Sequence, residues 1–378
     1  MTGTSGRDNE VFMAKTVLHE VLKIGVENNA SDILVKENSP VNYRIDGVLA
    51  ASDFKPDHGL LERFIEETAN EKQRLQLEET GDLDYSHRED DLGRFRINIH
   101  RQRGLLGMTF RWVRNSILTF EDLHLPPILA DISQLPHGII IVTGTTGSGK
   151  SSTMTALLQY MNQTRRDHII TIEDPIEYEF QDDQCFFEQR EVGLDTGSFA
   201  TALRHILRQD PDVIMIGEMR DRSNFEVALQ AADTGHLVIT TMHASNATQT
   251  LTRILDMFEK SEQDSIREAL AINLGAIICQ RLLPAASGAG RFPAHEILRN
   301  TPIVTKLIQE NRMDKLGAAI QSGQGDGMMT FNQSLLMLVN AGQVTREDAL
   351  AQSDNPEGLK MNFEGIFLSS DQGGGLVG

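Results

Sequence analysis

The residues in this chain best suited to phosphate chemistry are a lysine and a hydroxyl behind a glycine loop. Gly144-Thr145-Thr146-Gly147-Ser148-Gly149-Lys150-Ser151 fits G-x-x-x-x-G-K-[ST] at every position, and Ser152 follows it. Without Cβ atoms, the glycines let consecutive backbone N–H groups point into one concavity around phosphate oxygens. A helix starting there adds its dipole and unpaired donors. Lys150 is then placed to reach the β- and γ-phosphates, and the Ser151 hydroxyl to ligate Mg²⁺. Residues Thr145 to Ser152 are the candidate nucleotide-binding set, for ATP with Mg²⁺.

Flanking elements give the pattern its meaning. Ile139–Val142 is an apolar run expected as a buried strand, and Met154, Leu157, Leu158 and Met161 recur at helical spacing just after the loop. Strand, glycine loop and helix together predict a P-loop.

Three later stretches carry further candidates. Thr171-Ile172-Glu173-Asp174-Pro175-Ile176-Glu177 brings three carboxylates to an expected strand end, where α/β sheets gather ligands; an acidic solvated loop reads the same way. Asp212–Asp221 contains the strand VIMI, after which Gly217 stands where an Mg²⁺-binding Asp is usual and the acid, Glu218, comes one residue later. Glu218 is therefore the candidate base that orients or deprotonates water. In Thr234–His243, His236 and His243 bracket a β-branched strand, placed either to sense a γ-phosphate, to connect it to a neighbouring subunit, or as hydrogen-bonded core histidines.

An arginine-dense stretch lies upstream: Arg94, Arg96, Arg101, Arg103, Arg111 and Arg114. Guanidinium forks match phosphate oxygens, and Arg96 and Arg111 are the candidates for contacts in trans; a solvated basic face is the plainer reading.

Composition narrows the function classes. Formal charge is −19, which repels a phosphate backbone, so no nucleic-acid partner is expected. Cys185 and Cys279 are the only cysteines and lack metal spacing, so they are expected as buried thiols of a reduced compartment. No apolar run approaches the roughly 18–20 residues of a membrane span, and MTGTSGRDNE is polar with no signal peptide after it. A cytosolic protein follows as the expectation.

Taken in order, residues 1–10 read as a disordered tail and 11–114 as a small α+β domain. Within it the pattern predicts a helix at Val11–Val26 and strands at Ser31–Val35, Val41–Ile45 and Val48–Ala51, with Asp46-Gly47 as a hairpin turn. A helix over Leu60–Gln76 follows, then strands at Leu83–Ser86 and across Arg94–Val113, broken at Gly104 and Gly107. Asn115–Pro127 is the expected linker. Residues 128–317 alternate strands and helices as a mostly parallel α/β core, with strands at Ile139–Val142, Ile169–Ile172, Val213–Ile216 and Leu237–Thr241. Residues 318–378 are expected as a helical region, through Phe331–Asn340 and Arg346–Ala351, ending in a frayed glycine-rich tail at Asp371–Gly378.

With these stretches together, the chain resembles the type IV pilus retraction ATPases, the PilT/PilU family of the secretion ATPase superfamily. The carrying residues are GTTGSGKS, IITIEDPIEY (Ile169–Tyr178), VIMIGEMRD (Val213–Asp221) and TGHLVITTMH (Thr234–His243). QREVGLDTGSF (Gln189–Phe199), LRQDPDV (Leu207–Val213) and AIICQRLLP (Ala276–Pro284) also look like that family, and the similarity runs from about Ser31 to Asp354.

The resemblance implies a PAS-like N-terminal domain, a RecA-like ATPase domain and a ring-shaped homohexamer with ATP near the next subunit. It implies Glu218 as the catalytic glutamate, Glu177 as a supporting acid, His236 and His243 as the histidine motif, and Arg96 and Arg111 as arginines that reach ATP. Partners implied are an inner-membrane pilus platform protein and a paralogous retraction ATPase, with membrane attachment only through partners. The family usually carries an AIRNLIRE-like segment needed for retraction but not for hydrolysis. Here Thr301–Glu310 keeps only its LI-x-E skeleton, and with Leu105–Met108 it looks closer to the PilU paralogue; the SDILV start also departs from the usual SDLHL. The alternatives are therefore an accessory, PilU-like ATPase, a pilus-extension or type II secretion motor, which would usually add a domain and a tetracysteine insert, and a RecA-like nucleic-acid translocase.

Overall fold

The computed structural model describes residues 17–45, 47–89, 91–113 and 117–366. The expected N-terminal tail, the start of the first helix, Asp46 of the hairpin turn, Arg114, the first two linker residues and the C-terminal tail lie outside them. The chain divides into two compact units. One takes the described residues up to 113 together with Pro175–Tyr178; the other takes Ile117–Asp174 and the described residues from Glu179 on.

The first unit opens with helix α1 (residues 17–27) and strands β1 (Asp32–Lys36), β2 (Asn42–Ile45) and β3 (Val48–Ala51). Helices α2 (His58–Thr68) and α3 (Glu71–Thr80) come next, then β4 (Asp82–Glu89), β5 (Gly93–Gln102) and β6 (Leu105–Val113). The expected single helix over Leu60–Gln76 is two. Asn70 accepts from Gln73 N–H while the Gln73 side chain accepts from Asn70 N–H, so a reciprocal cap starts a new helix there. The strand break falls at Arg103-Gly104, both at positive φ, whereas Gly107 lies inside β6. At Gly107 the ring of its register partner His100 takes the space a Cβ would fill, with Nε2 2.6 Å from that position.

All pairings in this six-stranded sheet, order β3-β2-β1-β6-β5-β4, are antiparallel. One face is apolar: Ile33, Val35, Phe95, Ile97, Ile99, Met108 and Phe110 pack with Leu18, Leu22, Leu61 and Phe64 of the helices. Alternation leaves the polar residues on the other face, where Arg96 and Arg111 sit opposite each other on β5 and β6.

The second unit is built on a seven-stranded sheet, order β13-β12-β7-β11-β10-β8-β9. Its strands are β7 (Gly138–Thr143), β8 (His168–Glu173), β9 (Phe186–Glu191), β10 (Val213–Ile216), β11 (Leu237–Met242), β12 (Leu274–Pro284) and β13 (Arg291–Arg299). Every neighbouring pair is parallel except β12–β13. Sequence patterning locates the four central strands, β7, β11, β10 and β8, and passes over β9, β12 and β13.

Burial on both faces explains the unbroken apolar runs. Ile139, Ile141, Ile170, Ile172, Ile214 and Ile216 join one core; Ile140, Val142, Ile169, Val213, Met215 and Ile239 join the other. The first core is covered by α6 (Phe199–Ile206), α7 (Arg222–Asp233), α8 (Ala247–Asp256) and α9 (Gln263–Asn273), the second by α4 (Ile128–Ser133) and α5 (Lys150–Thr164). The C-terminal helices α10 (Pro302–Gln309), α11 (Leu316–Ser322), α12 (Phe331–Asn340), α13 (Arg346–Gln352) and α14 (Pro356–Phe363) bury Val304, Leu316, Phe331, Leu335, Ala349 and Leu359 in that first core. Residues 318–366 thus pack as part of the α/β unit. Among the described residues, no helix is long and apolar enough to cross a membrane.

Candidate active site

β7, β10 and β11 run parallel, so their C-terminal ends open at one edge of the sheet, where α/β folds place ligands. The loop from Gly144 to Gly149 leaves β7 there and leads into α5, whose N-terminus no side chain caps. Gly147 and Gly149 have φ of +78° and +88°, a conformation that turns backbone N–H groups inward. Thr145, Thr146 and Gly147 are exposed, Ser148 is buried, and Gly149 to Ser152 are half-buried. An uncapped helix start behind a positive-φ glycine loop fits an anion. Ser151 and Ser152 lie in its first turn.

Lys150 Nζ donates to the carbonyls of Gly144 at 2.9 Å and Thr145 at 3.0 Å, which holds the ammonium over the loop. It lies 3.5 Å from His243 Nδ1, and His243 Nε2 lies 3.1 Å from Glu218 Oε1. With the proton on Nε2, the imidazole accepts from the lysine and donates to the carboxylate. Burial lowers the lysine's pKa and the Glu218 charge opposes that. For Glu218, burial pushes the carboxyl up. The hydrogen bond and charge of Arg220, with His243 and Lys150 beside it, outweigh it and leave the pKa below the usual value.

Backbone stitching sets this row. Gly217 N–H donates to Ile172, Thr241 Oγ1 donates to the Gly217 carbonyl at 2.7 Å, and Met219 N–H donates to Thr241. The turn after β10 is thereby tied to β11, and Glu218 arrives beside His243. Thr143 Oγ1 does the same from β7, accepting from Ala244 N–H at 2.9 Å.

The fold separates other candidates. His236 precedes β11 at the opposite sheet edge, its carbonyl accepts from Gly138 N–H, and its Nδ1 lies 2.9 Å from the Ala231 carbonyl and 3.1 Å from Thr234 Oγ1. Six strand residues lie between the two histidines, roughly 20 Å of extended chain. Within one chain, His243 joins Lys150 and Glu218 and His236 does not. The three acids at and after the end of β8 also part. Glu173 is buried and accepts from Thr171 Oγ1 and Gln189 Nε2, Asp174 interacts with Arg220, and Glu177 belongs to the first unit, accepting from Arg96 at 3.0 Å. Arg111 donates to Asp32 at 2.9 Å.

Two functional neighbours escaped the sequence reading. Arg220 donates to Glu218 Oε2 at 2.7 Å; its place two residues after the acid was the available signal. Gln280, on the unforeseen β12, lies under the P-loop. Among the described residues, no group of three or more His, Cys, Asp or Glu could hold a metal.

Fold and site define a P-loop nucleotide-binding protein with an acid poised beside the loop lysine. Residues 115–354 match the family model described as type II/IV secretion system protein. The chain is 39% identical to the type IV pilus retraction ATPase PilT of Pseudomonas aeruginosa, over 89% of this chain and 98% of that one. It is 38% identical to the type IV pilus ATPase PilU of the same organism, over 90% of each. A solved structure of the pilus retraction motor PilT with bound ADP superposes with a TM-score of 0.84 at 42% identity, covering 90% of this chain and 98% of that one. The Legionella pneumophila ATPase DotB shares the fold, with a TM-score of 0.78 at 23% identity over 93% of this chain and 96% of that one. This chain belongs to the type II/IV secretion system family, in its PilT/PilU branch, and it is a RecA-like ATPase.

Proposed function

We propose that this protein is a Mg²⁺-dependent motor that assembles as a homohexamer at the cytosolic face of the inner membrane and powers type IV pilus retraction. The observation that carries this reading is the Lys150–His243–Glu218 row at the mouth of the P-loop, in a chain 39% identical to a pilus retraction ATPase. The loop N–H groups take the ATP phosphates, and Lys150 exchanges its two carbonyl partners for β- and γ-phosphate oxygens. Glu218 aligns a water and accepts its proton as the water oxygen attacks the γ-phosphorus. The bond to the bridging oxygen breaks, and ADP and phosphate leave.

Ser151, in the first turn of α5, would hold Mg²⁺, whose charge would neutralise the β- and γ-oxygens. His243 reports the state of Glu218 to Lys150. Arg96 and Arg111, each now engaged by a carboxylate, supply guanidinium groups to the phosphates of a neighbouring subunit, and Glu177 releases Arg96 for that contact. The partner on the membrane is a pilus platform protein. A paralogous retraction ATPase is the second partner, since similarity to the PilT and PilU relatives is nearly equal.

Deleting the gene in its host and complementing with wild type or Lys150→Ala tests this reading. Surplus pili that do not retract, cured only by wild type, are the expected result. Normal pilus numbers with weakened retraction would assign the accessory role, and a bald cell would overturn retraction in favour of assembly.

A further inference from the structure

β12 contributes one polar side chain to the interior beneath the nucleotide loop. Gln280 is 3% exposed and uses both ends of its amide. Nε2 donates to the Ser148 carbonyl at 2.8 Å, and Oε1 accepts from Thr153 Oγ1 at 2.7 Å, one turn into α5. Behind it, on β13, His295 places Nε2 3.3 Å from the same Oε1, and His295 N–H donates to Ser334 Oγ of α12 at 3.0 Å. Two glycines of the loop, Gly144 and Gly149, rest on this residue. A Cβ on Gly149 would stand 2.7 Å from Gln280 Nε2, and one on Gly144 would stand 2.5 Å from the Gln280 carbonyl oxygen.

We propose that Gln280 is a positioning residue for nucleotide binding, fixing the Ser148–Gly149 peptide and the first turn of α5 from below. In a trans peptide the carbonyl and the next N–H point opposite ways. Holding the Ser148 carbonyl against β12 therefore turns the Gly149 N–H away from β12, to the side on which the loop is open. Ser148 is buried, so losing the amide donor would leave its carbonyl short of a partner and free the peptide to rotate. Thr153 on the other end of the amide sets its rotamer, and ties loop and helix to one anchor. Burial keeps His295 neutral, its pKa pushed down to about 3, so it backs the amide without placing a charge under the loop. A glutamate at this position would keep the size and the acceptor and lose the donor; a leucine would lose both.

This inference rests on the P-loop reading, and ADP titration of the full-length protein separates the two. Gln280→Glu should weaken ADP binding about tenfold, a loss of roughly 1.4 kcal/mol, as expected for one buried hydrogen bond. KM for ATP should rise by a similar factor while kcat stays within about threefold, because ground state and transition state use the same cradle. Thr153→Val should weaken ADP binding about threefold, and Thr153→Ser, which restores the hydroxyl, should recover most of it. If Gln280→Glu does not fold, the Thr153 pair decides alone. A folded Gln280→Glu with wild-type ADP affinity, a fall in kcat with KM unchanged, or lowered melting temperatures with normal ADP binding in the Thr153 variants would overturn the positioning role. Failure of the wild type to bind ADP would instead overturn the nucleotide reading itself.

Discussion

β11 carries a histidine at each end, and the two stand in opposite surroundings. His243, at the C-terminal end, is exposed among the ends of parallel strands, the uncapped start of α5 and two groups of opposite charge. His236, at the N-terminal end, faces the Ala231 carbonyl and Thr234 Oγ1 at the close of α7. The C-terminal edge of a parallel sheet exposes helix N-termini and loops that can receive an anion, whereas the other edge receives helix C-termini whose carbonyls need donors. Chemistry therefore gathers at one edge and structural hydrogen bonding at the other.

Mutations that treat the two edges alike break this contrast, or sharpen it. Glu218→Gln keeps the shape and removes the base, so ATP turnover should fall roughly 10²- to 10⁴-fold with nucleotide binding retained. Because its carboxyl lies below the usual range, wild-type turnover should not vary through this group between pH 6 and 8, and should fall only under strong acid. Loss of turnover at pH 6 traced to Glu218 would remove it as the base.

Another acid at the C-terminal edge should act on stability. Glu296 stands opposite Cys279 in the row that includes Thr143, and accepts from Ala247 N–H at 2.8 Å. Burial pushes its pKa up to about 7, with the Ala247 N–H opposing. The folded state then holds the proton more tightly than the unfolded one, so this contribution is full below about pH 4.5 and is lost as pH rises toward 7. The change is about 3 kcal/mol by linkage. Glu296→Gln should flatten that slope in chemical denaturation curves; an unaltered slope would refute the assignment.

His243→Ala should cost about tenfold in turnover with little change in melting, since it removes the bridge between Lys150 and Glu218. His236→Ala should do the reverse, losing about 1 kcal/mol of stability with turnover within about twofold. Equal turnover defects in the two variants would show that His236 acts on nucleotide through assembly.

Much of the α/β unit was legible because its central strands are continuous runs of β-branched residues, and the P-loop is a local pattern whose purpose requires those residue types. Strands at the sheet's margins were harder to read. β12 carries Gln280 and Arg281 in mid-strand, and β9, FFEQRE, is edge-like and mostly polar. Neither has the uniform apolar run of a strand covered on both faces. The site divided similarly: Lys150 and Glu218 are fixed by short motifs, while Arg220 and Gln280 acquire their roles from contacts.

By itself the sequence determined that a phosphate loop follows a buried strand, that an acid ends another strand, and that the chain is acidic enough to disfavour nucleic acid. Those conclusions rest on residue type and short-range spacing. Only the tertiary structure decided which of the two histidines meets the acid, how the carboxylates of Glu173, Asp174 and Glu177 part, and what lies beneath the loop. Such relations join residues as far apart as Glu218 and His243, 25 positions, and Ser148 and Gln280, 132 positions, and strand order and register set them.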